Sequence, residues 1–213
     1  MDAACKKTGN TGNRNYQKEL DKLLEKLNRE GRVPRLLLHS CCAPCSSYVL
    51  EYLSRYFEIT ILYYNPNIYP PKEYEMRVKE EEGLIARMPF VHKVTMLEGR
   101  YEPAEFYETV KGLEKEPEGG KRCEKCYELR LKEAARAASE GGFDYFTTTL
   151  TISPLKPAGK LNEIGEKLGE EYKVAYLSSD FKKRDGYKRS LELSKEYDLY
   201  RQNYCGCIYS IRT

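Results

Sequence analysis

The chain has 213 residues, eight cysteines and a formal net charge of only +3. A chain of that length builds a sizeable core without covalent staples, so the disulfide scaffold of a small secreted domain is not the expectation. No apolar run is long enough to cross a bilayer, and the opening "MDAACKKTGNTGNRNYQKEL" has no secretory apolar stretch. The composition points to a cytoplasmic protein with reduced thiols that serve metal or redox chemistry.

Residues 1–14 read as a polar, flexible leader in which Cys5 stands alone. A helix is predicted from Asn15 to Glu30, with Leu20, Leu23, Leu24 and Leu27 at helical spacing. "RLLLHS" is a short apolar run of the kind a strand buried on both faces shows. "CAPCSSYVLEYLSRYF" returns to helical periodicity with Pro44 in its first turn. "EITILYYN" predicts a strand, "PPKEYEMRVKEEEGLIARM" a helix and "VHKVTML" a third strand. A helix from Pro103 to Glu114 leads to the loop "KEPEGGKR", an insertion around Pro117 to Gly120, and another helix runs from Glu124 to Ser139 before Gly141 and Gly142. "DYFTTTLT" is a strand, "NEIGEKLGEEY" a helix, "KVAYLSS" a strand and "GYKRSLELSKEYDLY" the last helix. Strict alternation implies an α/β fold: one domain over residues 1–213, with a parallel sheet covered by helices on both faces.

That order puts "HSCCAPCSS" at the carboxyl end of the first strand, where open α/β sheets bind ligands and a helix start favours thiolates. Three cysteine groups stand out: Cys41, Cys42 and Cys45; Cys123 and Cys126 in "RCEKCYELRL"; Cys205 and Cys207 in "YRQNYCGCIYS". Two cysteines separated by two residues at a helix start can reach one metal or cluster. Cys205 and Cys207 point the same way in extended backbone, and Gly206 permits close approach. Adjacent side chains diverge, so Cys41 and Cys42 are expected to serve two centres, or one ligand and one free thiolate. Seven sulfurs exceed the four that one zinc ion or one cubane cluster needs, which favours a cluster plus a second metal or a redox thiol pair. The plainer alternative is a zinc knot with spare cysteines. His39, ending its strand, is expected to be a hydrogen-bonding residue and not a ligand.

Charge is uneven along the chain. From Phe181 to Thr213 there are eight Lys or Arg against four Asp or Glu, and "DFKKRDGYKRS" concentrates five of the cations around Tyr187. Such a segment can follow a phosphate backbone or simply form a solvated helix start.

Taken in order, "HSCCAPCSSYVL", "YYNPNIYPPKEYEMR", "RCEKCYELRL", "TTTLTISPLK", "SSDFKKRDGYKRS" and "YRQNYCGCIYS" resemble the QueH-type, cobalamin-independent epoxyqueuosine reductases over about Leu36 to Ile211. The resemblance implies reduction of epoxyqueuosine to queuosine at the wobble position of tRNA. It also implies a [4Fe–4S] cluster with a second metal ion, iron, no cobalamin, and a Rossmann-like sheet similar to the PP-loop nucleotide-binding domain. "SCCAPCS" stands where PP-loop ATPases carry a glycine-rich loop. The family's cysteine positions map onto Cys41, Cys42, Cys123, Cys126, Cys205 and Cys207, with Cys45 at a place where the family is expected to vary. Cys41, Cys123, Cys126 and Cys205 are the expected cluster ligands, all seven the expected metal ligands, and Cys41, Cys42, Cys45 and Asp180 the expected catalytic set.

Lys182, Lys183, Arg184, Lys188 and Arg189 are expected to meet tRNA phosphates, with Lys121 and Arg122 adding to them. Tyr69, Tyr127 and Tyr204 lie beside the motifs as candidate proton donors, although packing or base stacking explains each of them. An external electron donor is needed, and no membrane partner is expected. Two rivals stand beside this reading: an iron–sulfur sulfur-transfer enzyme of the PP-loop kind acting on tRNA, and a zinc-stabilised nucleic-acid-binding module without catalysis.

Overall fold

The computed structural model describes residues 14–211; Cys5 and the leader up to residue 13 lie outside the described residues. Helix α1 (Tyr16–Glu30) starts where the Asn15 side chain accepts from the Lys18 N–H, and it ends at Gly31, whose φ of 60° the missing side chain permits. Its buried leucines, Leu20, Leu24 and Leu27, form the stripe that the spacing predicts.

Strand β1 (Arg35–His39) sits at the centre of the sheet between β2 (Glu58–Tyr63) and β4 (Tyr145–Thr148). β3 (Val94–Glu98) lies beyond β2, and β5 (Ala175–Tyr176) beyond β4. All four pairings are parallel, in the order β3-β2-β1-β4-β5. This is the Rossmann-like α/β sheet expected from the alternation.

Side-chain alternation along β1 divides the core. Leu36 and Leu38 pack with α1, with Val49, Leu50 and Leu53 of α2 (Ala43–Leu53), and with Leu84 of α3 (Pro71–Arg87). Leu37 faces the opposite layer, made by Leu131, Ala134, Ala135 and Ala138 of α5 (Lys121–Glu140) and Leu161 and Leu168 of α6 (Ala158–Tyr172). Each fully buried leucine contributes about 1.5–3 kcal/mol of transfer free energy. α4 (Pro103–Thr109) lies against α5, and α7 (Gly186–Glu196) packs on α2.

Several predicted boundaries move for local reasons. The fourth strand stops at Thr148, because the Thr148 hydroxyl accepts from the Leu150 N–H and Thr149–Ile152 wind into a 3-10 turn. The fifth pairs over two residues where seven were expected: Ser179 exchanges both backbone bonds with the Asn162 side chain, and Lys173 takes φ 58°. α5 begins three residues before Glu124 and α6 four before Asn162. α4 closes at Thr109 where Glu114 was expected, and α7 ends at Glu196, short of Tyr200, as Asp198 turns to φ 50°.

β1 lies next to β4 while the chain between them builds the other half of the sheet, so the crevice beyond the carboxyl ends of β1 and β4 is a topological switch point.

Candidate active site

The chain leaves β1 through Ser40, whose N–H bonds the Leu62 carbonyl, and turns at Cys41 and Cys42. The Cys41 carbonyl accepts from the Tyr63 hydroxyl at 3.2 Å. Cys42 caps α2 in an extended conformation, and Cys45 stands in that helix's first turn. The three sulfurs lie within 4.8 Å of one another, with Cys41 and Cys42 at 4.0 Å. The expectation that this adjacent pair diverges is therefore overturned. It assumed regular backbone, and the chain is turning between strand and helix at that point.

Cys123 and Cys126 project from the opening turns of α5, the Gly119 N–H pointing at the Cys123 sulfur at 3.2 Å. Cys205 and Cys207 arrive on an irregular segment after α7. Gly206, at φ 121°, lets this segment pass against Arg77 and Ile68, and its carbonyl accepts from the Tyr69 N–H at 2.8 Å. These four cysteines line one small cavity with Asn67, Arg122, Tyr127 and Arg130. Cys205 also lines the neighbouring cleft of about 310 Å³ whose floor is Cys41, Cys42 and Cys45. The structure thus brings all seven predicted cysteines into two adjoining groups that meet at Cys205, and it seats Cys41 with Cys42 and Cys45.

The electrostatics follow from burial and neighbours. Hydrogen bonds from Cys42 and Cys45 outweigh burial and hold the Cys41 thiol well below its usual range, with help from Lys156 and Arg130. The same sharing pushes Cys42 up to about 12 and raises Cys45. Burial, with the charges of Cys205, Cys207 and Cys123 adding to it and Arg130 opposing it, pushes Cys126 up to about 12.

Sequence reasoning missed the cations that face these sulfurs. Arg77 of α3 is 1 % exposed; its Nε bonds Glu73 at 2.8 Å, and neither terminal nitrogen has a protein acceptor. Arg130 of α5 is equally buried. It reaches the Cys126 carbonyl and Asn65, each at 3.3 Å, and leaves Nη2 unpartnered. Lys156 lines the cleft. A detectable signal existed: Arg130 is one helical turn beyond Cys126, and Arg77 and Glu81 fall within the stripe of Tyr74, Val78 and Leu84.

His39 is a hydrogen-bonding residue, as expected. Its Nδ1 lies 2.9 Å from the Thr148 hydroxyl and its Nε2 3.2 Å from the Tyr64 carbonyl, so Nε2 carries the proton. Burial and the Arg130 charge lower its pKa to about 4, which keeps it neutral. Tyr204 donates to the Tyr69 carbonyl at 2.6 Å.

Asp180 is not among the cleft-lining residues; its carboxylate pairs with Lys182 at 2.7 Å. Arg184 pairs with Asp21 at 2.6 Å, and Arg189 forks onto Glu51 at 2.6 and 3.1 Å, so both already have intramolecular partners. Lys183 and Lys188 are exposed and have no ion pair among the described residues. Arg122 departs from the expectation of a phosphate contact: it is buried and donates to the carbonyls of Leu113, Glu114 and Glu116, fixing the loop before α5.

Comparison with known proteins converges on one family. The family model described as "Epoxyqueuosine reductase QueH" matches residues 36–213. The chain is 46% identical over 202 residues to epoxyqueuosine reductase QueH of Staphylococcus epidermidis, covering 92% of this chain and 84% of the relative. It is 43% identical over 200 residues to the Streptococcus pyogenes protein of that name, with 93% and 78% covered. The Thermotoga maritima protein is 36% identical over 182 residues, with 83% and 90% covered. With cysteines gathered at the switch point and this breadth of likeness, the chain belongs to the QueH family of epoxyqueuosine reductases, oxidoreductases of tRNA modification.

Proposed function

We propose that this chain reduces the epoxide of epoxyqueuosine in tRNA to the alkene of queuosine, with its seven grouped cysteines holding a [4Fe–4S] cluster and a second metal ion, iron. The observation that carries the reading is the pairing of seven converging sulfurs with buried guanidiniums that keep terminal N–H groups without a protein acceptor. Unpaired guanidinium N–H groups in a protein interior are costly unless negative charge faces them. Thiolates bound to metal supply that charge, so the donor set fits the group.

Spacing suggests the division of labour. Sulfurs about 2.3 Å from one tetrahedral ion lie about 3.8 Å apart, close to the separations among Cys41, Cys42 and Cys45. Cys123, Cys126, Cys205 and Cys207 then hold the cluster, with Arg130 balancing its charge while Arg77 faces Cys42. When bound, the metals supply low-potential single electrons and a Lewis acid for the epoxide oxygen.

The chain's own residues do the rest. The α2 and α5 amino ends direct their partial positive charge at the thiols. Leu155, 65 % exposed, and Tyr187, 36 % exposed, give the cleft apolar lips against which a base can stack. Lys183 and Lys188 flank that entrance in sequence and remain available to phosphates. An external low-potential donor completes the scheme.

The test is anaerobic purification with iron and sulfide analysis, followed by incubation with epoxyqueuosine-containing tRNA and dithionite. Conversion to queuosine with iron and sulfide present is the expected result. A colourless zinc protein without turnover would overturn it in favour of the nucleic-acid-binding module, and ATP-dependent thiolation would favour sulfur transfer.

A further inference from the structure

The cleft over Cys41, Cys42 and Cys45 holds one group that the reaction needs and that no assigned role uses. Its lining carries two cations and one carboxylate: Lys156, Arg201 and Glu118. Arg201 donates to the Ser194 hydroxyl at 3.0 Å. Other donors near the cleft are committed as well, since the Tyr204 hydroxyl bonds the Tyr69 carbonyl and the Ser190 hydroxyl the Tyr187 carbonyl, each at 2.6 Å.

Lys156 is different. The turn that carries it is fixed: the Lys156 N–H bonds the Ser153 carbonyl at 3.2 Å, and the Ser153 hydroxyl accepts from the Leu155 N–H at 3.3 Å. Among the described residues no carboxylate pairs with its ammonium. Its side chain lines the cleft together with Cys41, Cys45 and Cys205, within the space a bound nucleoside would occupy. A second group on the lining is also unmatched: Oε1 of Gln202 is buried without a donor, as expected where a substrate hydroxyl or ring N–H is to arrive.

We propose that Lys156 is a catalytic residue of the reduction: its ammonium hydrogen-bonds the epoxide oxygen of the bound nucleoside and passes it a proton as the first carbon–oxygen bond opens. The inference rests on the reductase reading. The balance is one epoxide, two electrons and two protons giving one alkene and one water. Both carbon–oxygen bonds break, the carbon–carbon double bond forms, and the oxygen leaves as water. The electrons come from an external low-potential one-electron reductant. The first proton comes from Lys156, which regains it from solvent at the cleft mouth, and the second comes from water.

A preorganised donor at a departing oxygen contributes a hundredfold or more in rate, on the order of what general acids and oxyanion donors give. A role confined to balancing thiolate charge would show in metal content instead. The experiment uses anaerobically loaded wild type, K156M, K156R and K156A. It reads iron and sulfide content, single-turnover reduction with excess dithionite, and affinity for epoxyqueuosine tRNA against queuosine tRNA without reductant. Wild type is expected to prefer the epoxide-bearing tRNA by about tenfold, the size of one charge-assisted hydrogen bond. K156M should lose that preference and about a hundredfold in turnover while keeping its iron. K156R should keep part of both, and small primary amines should restore K156A.

Undiminished preference and turnover in K156M would overturn the proposal, as would a loss of turnover that follows loss of iron in K156M and is not relieved by amines in K156A. Wild type that binds tRNA yet never reduces it would sink the reductase reading itself, a different outcome from a normal wild type with a normal K156M.

Discussion

Glu81 of α3 shows how deeply charge is built into the wall behind the thiols. It is fully buried, with Oε2 receiving the Ser40 hydroxyl at 3.3 Å and Oε1 unpartnered. Burial pushes its pKa up to about 8, against the pull of Ser46 and with a further rise from the Cys41 charge. In the unfolded chain it titrates near 4.5. Between these values the folded chain holds a proton that the unfolded chain has lost, so the stabilising share of Glu81 is complete below 4.5 and disappears as pH rises through 8. Urea unfolding from pH 5 to 8 should show E81Q losing less stability than wild type over that window; parallel curves would refute the burial argument. Composition alone masks this residue, because a glutamate in "KEEEGL" reads as solvent-facing helix charge; only its place in the stripe of Tyr74, Val78 and Leu84 points inward. The cysteines were legible for the opposite reason, since no packing demand in a reduced protein explains seven thiols at those spacings.

The seam between α2 and α7 places the rim of the cleft. Gly186 opens α7, and a Cβ there would overlap the Phe181 carbonyl and the Tyr48 ring. G186A should therefore cost about 1–3 kcal/mol, as overpacking does, read as a lower urea midpoint. It should also weaken tRNA binding, because Tyr187 on the next residue lines the cleft. An unchanged midpoint would show that the seam yields easily. Element order and the parallel sheet were readable from alternating periodicity, and the ends were not. What shortened β5 was the Asn162 side chain capturing Ser179, and what ended β4 was a threonine hydroxyl. Such side-chain to backbone competition leaves no periodic trace.

Over the whole molecule, the net charge of +3 is less informative than where the cations stand. Ion pairs occupy Lys182, Arg184 and Arg189, whereas Lys183 and Lys188 beside Tyr187 are exposed with none among the described residues, which makes them the pair to test for tRNA attraction. The double variant K183E/K188E should weaken tRNA binding and reduce the slope of log affinity against log salt by about 1.4, the share of two single-strand phosphate contacts. A slope equal to wild type would move the tRNA footprint elsewhere. The sulfurs come from three regions of the chain, Cys41 to Cys45, Cys123 to Cys126, and Cys205 to Cys207, and the last reaches the others on a stretch without helix or strand, tied by the Tyr69 to Gly206 bond. All five strands precede that stretch in the chain, the last of them ending at Tyr176. A centre that used Cys205 could be completed only once all five strands had been made, so the order of the chain sets the scaffold ahead of its closing ligand.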